Sequence, residues 1–169
     1  DIVGSTCFAN VDLAHGYWQV PLSAESQQMM SIQTPTGVYS SRRLLQGGSD
    51  SGNHFQAVLS HKFDGRVKKM LQWLDDFLFF AENEQELLTN IESFLQVCSE
   101  IGLKVHAEKS TLFAQEVQFC GRIISRQGVQ YHPRHFQALV GMKKPTMAGE
   151  LQQFICATNW MRNSIPNYA

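Results

Sequence analysis

The segment KKMLQWLDDFLFFAEN, residues 68–83, constrains the fold more than any other part of the chain. Two adjacent aspartates, Asp75 and Asp76, separate two apolar runs of the kind that form a buried β-hairpin. Charged side chains seldom enter such surroundings without a partner. An Asp-Asp pair can form a plain turn, cap a neighbouring helix, or bind a divalent cation that cancels its mutual repulsion. The aromatic flanks favour the cation, because a solvated turn does not need them.

A third carboxylate, Asp12, lies at the end of another β-like run and just before a turn that contains Gly16. If the two strands bring Asp12 beside Asp75 and Asp76, the three side chains would hold two Mg²⁺ ions. Such a pair of ions activates a hydroxyl nucleophile and stabilises the leaving phosphate oxygen in an in-line displacement. Mg²⁺ prefers a few carboxylates plus substrate phosphate oxygens over a cage made only of protein. The trio therefore predicts phosphoryl-transfer chemistry.

The remaining pattern is a mixed order of short strands and helices. The predicted strands are 8–13, 28–33, 38–45, the hairpin 69–81, 103–113, 117–125 and 128–132. The predicted helices are 55–63, 84–101, 134–142 and 148–158. This order favours an α+β fold, with a mostly antiparallel sheet and helices to one side.

Composition excludes several classes of protein. With 43% hydrophobic and 17% charged residues, the 169-residue chain predicts one ordered domain. No apolar run approaches the length of a membrane span, so no membrane partner is expected. The four scattered cysteines are interpreted as reduced, mostly buried thiols of an intracellular protein. Because the first residue is Asp1 rather than Met, we expect a piece cut from a longer protein.

The charge distribution leaves two interpretations open. A net charge of −1 argues weakly against binding to nucleic acid. Residues 101–169, however, hold eight basic and three acidic residues, and such a half could follow phosphates. On charge alone, an uneven solvated surface explains the distribution equally well.

Four motifs in series resemble the palm of reverse transcriptases of the gypsy type, which occur in LTR retrotransposons and are related to retroviral enzymes. FANVDLAHGYWQVPL resembles F-S-x-L-D-L-x-S-G-Y-x-Q-I, and WLDDFLFFAENEQE resembles the Y-(L/M/V)-D-D hairpin. GLKVHAEKSTLFAQEVQFCGRIISRQGV resembles G-L-x-L-x-x-x-K-C-x-F…V-x-F-L-G-x-x-I-S-x-x-G. LQQFICATNWMRNSIPNYA resembles L-R-S-F-L-G-L-x-N-Y-Y-R-x-F-I-P-N-F-A. The match covers about Cys7 to Ala169, in the order and spacing of the family.

The resemblance implies a right-hand polymerase fold, with about 1–130 as palm and partial fingers and about 131–169 as the start of the thumb. It implies an RNA-directed DNA polymerase that transfers dNMP from a dNTP to a primer 3′-hydroxyl on an RNA or DNA template. Asp12, Asp75 and Asp76 match the catalytic aspartates that bind two Mg²⁺ ions, with Mn²⁺ as a substitute. RNase H, integrase and protease accompany such a domain in its polyprotein. A retroelement enzyme is expected in a cytoplasmic particle or the nucleus.

Further residues match positions that contact the nucleotide or the nucleic acid in this family. The backbone amides from Leu13 to Gly16 are expected to face triphosphate oxygens. Tyr17 matches the aromatic residue that excludes a 2′-hydroxyl, although a packed core tyrosine is the alternative. Gln46 matches a residue that contacts the incoming nucleotide, and Gly47 allows close backbone approach. The implied nucleic-acid contacts, each of which could also be ordinary surface, are Phe119, Cys120, Gly121, Arg122 and Lys109.

Two departures from the family pattern support a second hypothesis. Gly52, Asn53 and His54 replace the usual proline and small or apolar residues, and Trp73 replaces the usual tyrosine. The alternative is therefore a catalytically inactive, retroelement-derived remnant that still binds nucleic acid. A viral RNA-dependent RNA polymerase is a third hypothesis, but those enzymes carry a G-D-D hairpin and usually a small residue where Tyr17 stands.

Overall fold

The fold is organised around the apolar hairpin. The computed structural model describes residues 2–168 of the chain. Its strands are β1 Cys7–Asp12, β2 Ser31–Thr34, β3 Gly37–Ser40, β4 Met70–Trp73, β5 Asp76–Ala81, β6 Thr111–Ala114, β7 Glu116–Phe119, β8 Arg122–Ser125 and β9 Gly128–Tyr131. Its helices are α1 Gly16–Gln19, α2 Ala24–Met29, α3 Ser51–Phe63, α4 Glu84–Ile101, α5 Pro133–Val140 and α6 Ala148–Trp160. Short 3-10 turns lie at Ala107–Lys109 and Arg162–Ser164.

The central sheet has the antiparallel order β4-β5-β1-β6. Its strand β5 is buried on both faces, which explains why its sequence is continuously apolar rather than alternating. Phe77 and Phe79 point to one face and join the core formed with α3 and α4. Leu78 and Phe80 point to the opposite face and join a second core.

Helix α4 covers the first face of the sheet. It begins after Asn83, whose side chain accepts a hydrogen bond from the Glu86 amide, and ends at Gly102, whose φ of 71° suits glycine. Phe94 is fully buried and packs against Phe63 of α3 and against Phe77 and Phe79 of β5. The α+β fold with an antiparallel sheet and helices on one face is confirmed.

The second face of the sheet is covered by a smaller sheet of order β7-β8-β9. Val117 and Ile124 from this small sheet pack against Phe8, Leu78 and Phe80. Its β7–β8 turn contains only two residues, Cys120 and Gly121, whose φ angles of 48° and 73° are those of a primed hairpin turn. The structure therefore has sheet on one side and helices on the other side of β5.

Four local predictions were wrong. The predicted strand 28–33 begins inside α2, because Ser23 caps a helix there by accepting a bond from the Ser26 amide. The predicted strand 38–45 ends at Ser40, and most of 103–113 is irregular before β6. Gly16 was predicted to lie in a turn, but it begins the short helix α1.

The cysteines were expected to be mostly buried, but Cys120 and Cys156 are exposed. Burial raises the pKa of the Cys98 thiol to about 12, so this side chain behaves as a small apolar group. Cys7 is half-buried, and all four cysteines are free thiols. In the described part of the chain, no helix is both long and apolar enough to cross a membrane.

Candidate active site

Asp12 and Asp76 lie directly opposite each other on the neighbouring strands β1 and β5. Side chains alternate along a strand, so both belong to the face that carries Phe8, Leu78 and Phe80. On the edge of β1 that faces away from β5, the backbone of Asp12 bonds to the segment that precedes β6. Its amide donates to Ser110 Oγ at 3.4 Å, and its carbonyl accepts from the His106 amide at 2.8 Å.

Asp75 lies in the two-residue turn that joins β4 to β5. The turn is formed by Leu74 and Asp75, because Trp73 pairs with Asp76. The two-residue break was predicted at Asp75 and Asp76, but the turn lies one position earlier, and Asp76 belongs to β5. Leu74 adopts a φ of 53°, which is costly for a residue with a Cβ. Its amide donates to Gln56 Oε1 at 2.7 Å, so α3 stabilises the turn.

The three carboxylates are close enough to influence one another's ionisation. The pKa of Asp76 is raised, first by burial and then by the negative charges of Asp75 and Asp12, while Lys109 opposes the shift. Neighbouring carboxylates are the usual oxygen ligands of hard divalent cations, and a cation would relieve their repulsion.

The residue types therefore fit a divalent metal ion, although their side chains are not drawn into a ligating arrangement. Within residues 2–168, no group of three or more His, Cys, Asp or Glu side chains is positioned to hold a metal.

The turn after Asp12 packs closely against the hairpin. A Cβ added at Gly16 would lie 2.9 Å from Phe55 Cζ and 3.2 Å from Asp75 Cβ, so only glycine allows this approach. Tyr17 is half-buried and stacks on Phe55 with ring centroids 4.6 Å apart. A Cβ added at Gly52 would lie 3.5 Å from the Tyr17 hydroxyl, which is an ordinary contact. The unusual Gly52 therefore lies beside the predicted sugar-contacting side chain.

One predicted nucleotide contact needs correction. The Leu13 amide donates to the Asp75 carbonyl at 3.1 Å, and the Ala14 amide donates to the Lys104 carbonyl at 3.0 Å. Each amide has a single proton, so neither is free for a triphosphate. Leu13 itself is buried and pairs with Val105, which makes it a structural link between Asp12 and the hairpin.

Gln46 and Gly47 are exposed in the loop before α3. Gly47 has a φ of 90° with open space around its Cα, so its backbone conformation, and not a close contact, favours glycine. The loop is attached at one end by the Leu44 amide, which donates to the Val20 carbonyl at 2.9 Å.

The predicted primer-contacting residues form the β7–β8 turn, from Phe119 to Arg122. The turn lies near the carboxylates. Although Cys120 is exposed, partial desolvation of its thiol and then the negative charge of Asp76 raise its pKa. The Arg122 guanidinium lies 4.9 Å from the centroid of the Tyr131 ring. Lys109 lies at the end of a 3-10 turn and lines a small cavity with Asn10.

Two positioning residues were missed by sequence reasoning. Gln56 holds the hairpin turn, and Ser110 accepts from the Asp12 amide. The resemblance marked Gln56 without giving it a role, because Phe55 and Gln56 match the F-Q pair of retroviral relatives. Nothing in the sequence marked Ser110.

Comparison with known proteins agrees with this geometry. A family described as reverse transcriptase (RNA-dependent DNA polymerase) matches residues 1–124. A retrovirus-related Pol polyprotein from transposon 297 of Drosophila melanogaster is 28% identical over 163 residues, 96% of this chain and 15% of the relative. The transposon Tf2-3 polyprotein of Schizosaccharomyces pombe is 25% identical and matches 98% of this chain and 12% of its own length.

Solved structures show the same relationship. The foamy viral protease-reverse transcriptase dRH in complex with double-stranded DNA superposes with a TM-score of 0.90 at 26% identity, over 99% of this chain and 30% of that one. A foamy viral protease-reverse transcriptase in complex with RNA/DNA hybrid gives a TM-score of 0.82 at 25% identity, over 96% and 22%. The chain belongs to the reverse transcriptase family, whose members use divalent metal ions, and it spans about 15% of the curated relative from transposon 297.

Proposed function

We propose that this chain carries the polymerising centre of a reverse transcriptase, which adds dNMP from a dNTP to a primer 3′-hydroxyl on an RNA or DNA template. The observation that carries the proposal is the position of Asp12 opposite Asp76, with Asp75 in the adjoining turn, in a member of this family. The complexes of the foamy viral enzymes with duplex DNA and RNA/DNA hybrid support template and primer as partners.

Asp12 and Asp75 would be the principal ligands of two Mg²⁺ ions, with Asp76 close by and Mn²⁺ as a substitute. When bound, the ions would favour the deprotonated primer hydroxyl and offset the charge that develops on the phosphate oxygens. The protein contributes rigidity, because Leu13 and Ser110 bond to the backbone of Asp75 and Asp12, and Gln56 bonds to Leu74 in the same turn as Asp75.

Recognition of the nucleotide would fall to residues on either side of the carboxylates. Tyr17, fixed by stacking on Phe55, would lie against the sugar and exclude a 2′-hydroxyl. Gln46 and Gly47 are exposed and accessible to an incoming nucleotide. The amides of His15 and Gly16 remain candidates for the triphosphate, since those of Leu13 and Ala14 are already bonded.

The primer would lie along the β7–β8 turn. This turn carries Phe119 to Arg122 and lies close enough to Asp76 to affect the pKa of Cys120. Lys109 supplies a positive charge near Asp76 and would meet a phosphate there. The thumb, from about residue 131, would pack on the duplex.

The test is Mg²⁺-dependent extension of oligo(dT) on poly(rA) with dTTP, by this chain in place of the matching segment of a related Pol polyprotein. We expect extension that is abolished by Asp12→Asn and by Asp75→Asn. Asp64→Asn is the matched control, because Asp64 is an exposed aspartate at the end of α3.

The alternative of an inactive remnant predicts a different result. Extension would be absent in the unmodified chain, while binding to duplex would persist and would be insensitive to Asp12→Asn. The altered loop around Gly52 and His54 is the feature that favours this alternative. The single substitution Gly52→Pro then distinguishes two causes of inactivity. Extension should recover if the altered loop is the cause, and it should not recover if the catalytic centre itself has lost its activity.

A further inference from the structure

The β7–β8 turn lies between the three carboxylates and the C-terminal helices. One of its two residues, Cys120, is close enough to Asp76 for the charge of that carboxylate to affect its thiol. The other, Gly121, meets His135 from the first turn of α5 and Trp160 from the end of α6. Gly121, His135 and Trp160 together form a contact that we name the turn joint.

Packing in the turn joint is close. A Cβ added at Gly121 would lie 3.2 Å from His135 Nε2, and 3.4 Å and 3.5 Å from two ring carbons of Trp160. The rings of His135 and Trp160 also pack on each other, with centroids 4.8 Å apart. The two rings therefore close the side of Gly121 on which a side chain would project, and a primer strand would meet the turn on another side.

Further contacts attach the turn and the end of α6 to strand β9. The His132 amide donates to the Gly121 carbonyl at 3.4 Å. The Tyr131 ring packs on the Trp160 ring with centroids 5.0 Å apart, and its hydroxyl donates to the Trp160 carbonyl at 3.2 Å. The Arg122 guanidinium, just after the turn, lies over the same Tyr131 ring. A shift of α6 would therefore be transmitted to the turn.

The turn has few restraints within its own hairpin. Phe119 pairs with Arg122 as the last pair of the ladder, so Cys120 and Gly121 lie beyond it. Cys120 adopts a φ of 48°, which is unfavourable for a residue with a Cβ. Such a backbone conformation persists where the surrounding structure over-determines it. On the side of the C-terminal helices, the surrounding structure consists of the two rings of the turn joint.

We propose that His135 and Trp160 are positioning residues for primer extension, which act through Gly121 and hold the β7–β8 turn at a fixed distance from the three aspartates. This inference rests on the proposed function, in which the turn carries the primer strand. A small displacement of the reacting atoms slows an enzymatic step strongly. The C-terminal helices therefore influence the rate of nucleotide addition as well as the binding of the duplex.

The first measurement is the backbone amide relaxation of the 169-residue chain by NMR. The Gly121 amide should have the order parameter of a rigid backbone, about 0.85, and should fall below about 0.6 in Trp160→Ala. It should also fall, by a smaller amount, in His135→Ala. Ile155→Ala is the matched control, because Ile155 is an exposed residue of the same helix and lies about 140° around the axis from Trp160.

The second measurement is single-turnover extension at saturating primer–template and dTTP, by this chain in place of the matching segment of a related Pol polyprotein. Trp160→Ala should lower the rate by about tenfold or more, with little change in the Kd of the duplex. Trp160→Phe should recover most of the rate, because a ring again meets Gly121. His135→Ala should slow extension by a smaller factor, and Ile155→Ala should leave the rate unchanged. Unfolding of the C-terminal helices would instead lower the amplitude of extension or the duplex affinity.

Three results would overturn the proposal. An unchanged order parameter of Gly121 in both alanine variants would show that the rings do not hold the turn. An unchanged rate in Trp160→Ala and His135→Ala, or a loss confined to amplitude or duplex affinity, would show that the rings only stabilise the C-terminal helices. If the unmodified chain extends no primer, the proposed function fails and the role in extension fails with it. The order parameter of Gly121 separates this last case, since it reports on the turn joint without any primer.

Discussion

Asp12 and Asp76 are held opposite each other although both are carboxylates. Like charges on directly paired strand residues are destabilising, so this arrangement sacrifices stability for the site. We expect Asp12→Asn to raise the free energy of unfolding by about 0.5 kcal/mol, a modest gain because water screens this half-exposed pair. The same variant should abolish primer extension.

Urea unfolding in EDTA measures this effect, with Asp64→Asn as the control that removes an exposed charge elsewhere. A lower free energy of unfolding for Asp12→Asn would show that the Asp12 side chain stabilises the hairpin, contrary to this account.

Gly16 tests how closely the turn after Asp12 must approach the hairpin. A methyl group at this position would lie 2.9 Å from Phe55 Cζ and 3.2 Å from Asp75 Cβ. We expect Gly16→Ala to lower the free energy of unfolding by about 1–3 kcal/mol, the usual cost of overpacking. The substitution should also reduce primer extension, because it displaces Asp75.

Thermal unfolding and primer extension of Gly16→Ala are compared with those of Gly149→Ala. A Cβ added at Gly149 meets nothing within 4 Å, and alanine favours a helix, so this control should be neutral or slightly stabilising. Equal effects of the two substitutions would remove the close approach as an explanation.

Only those parts of the candidate site that follow from local sequence patterns could be predicted from the sequence. The Asp-Asp pair between apolar runs and the motif around Asp12 pointed to the three carboxylates. The supporting contacts join distant parts of the chain: Gln56 bonds Leu74, 18 residues away, and Ser110 bonds Asp12, 98 residues away. No periodicity encodes such contacts, because they depend on how the elements pack.

At the level of elements, strong local signals gave correct predictions. Helix α4 was predicted with its bounds, because an apolar stripe and a terminal glycine agree there. Strand β5 was predicted, but the second sheet that covers its outer face was not, since a continuous apolar run does not say what covers each side. Helix α2 was missed because the exposed Met29 was read as part of a strand, although Ser23 offered an N-cap signal.

The junction between β5 and α4 contains an ion-pair network that predicts a pH effect. The Lys69 ammonium lies 2.8 Å from Glu86 and 3.2 Å from Glu82. The pKa of Glu86 is lowered from its ordinary value of 4.5, first by the bond from Lys69 and then by the Glu82 amide. Because the folded-state pKa is depressed, the contribution of Glu86 is present above pH 4.5 and is lost as pH falls through the folded pKa.

We therefore expect Glu86→Gln to lower the melting temperature at pH 7. At a pH low enough to protonate Glu86 in both the folded and the unfolded chain, the substitution should have little effect. Thermal unfolding at neutral and acidic pH measures the difference. Glu84→Gln is the control, because Glu84 shares the first turn of α4 and has no ion pair within the described chain. A constant difference at all pH values would show that shape, not charge, explains the effect.

Across the whole molecule, stability is concentrated around β5. Its two faces carry both apolar cores, and α4 contributes six buried residues, whereas α5 and α6 contribute none. Leu151, Phe154 and Ile155 of α6 remain partly or largely exposed. The C-terminal helices contact β9 through Phe136 and Trp160, whose rings pack on Tyr131, and the buried Met161 lies among residues of α5 and α6.

This asymmetry predicts that the C-terminal helices open locally without unfolding the sheet. Amides in the middle of α6 should exchange with deuterium at least about a hundredfold faster than those of α4 between Leu87 and Cys98, since exchange follows local opening free energy. Hydrogen exchange followed by mass spectrometry of the 169-residue chain measures both helices in one sample, so α4 is its own internal control. Adding a primer–template duplex should slow exchange in α6 if these helices pack on nucleic acid as the start of a thumb. Equal protection of α4 and α6 in the free chain would show that the contacts of Phe136 and Trp160 with Tyr131 are enough to couple the two parts into one cooperative unit.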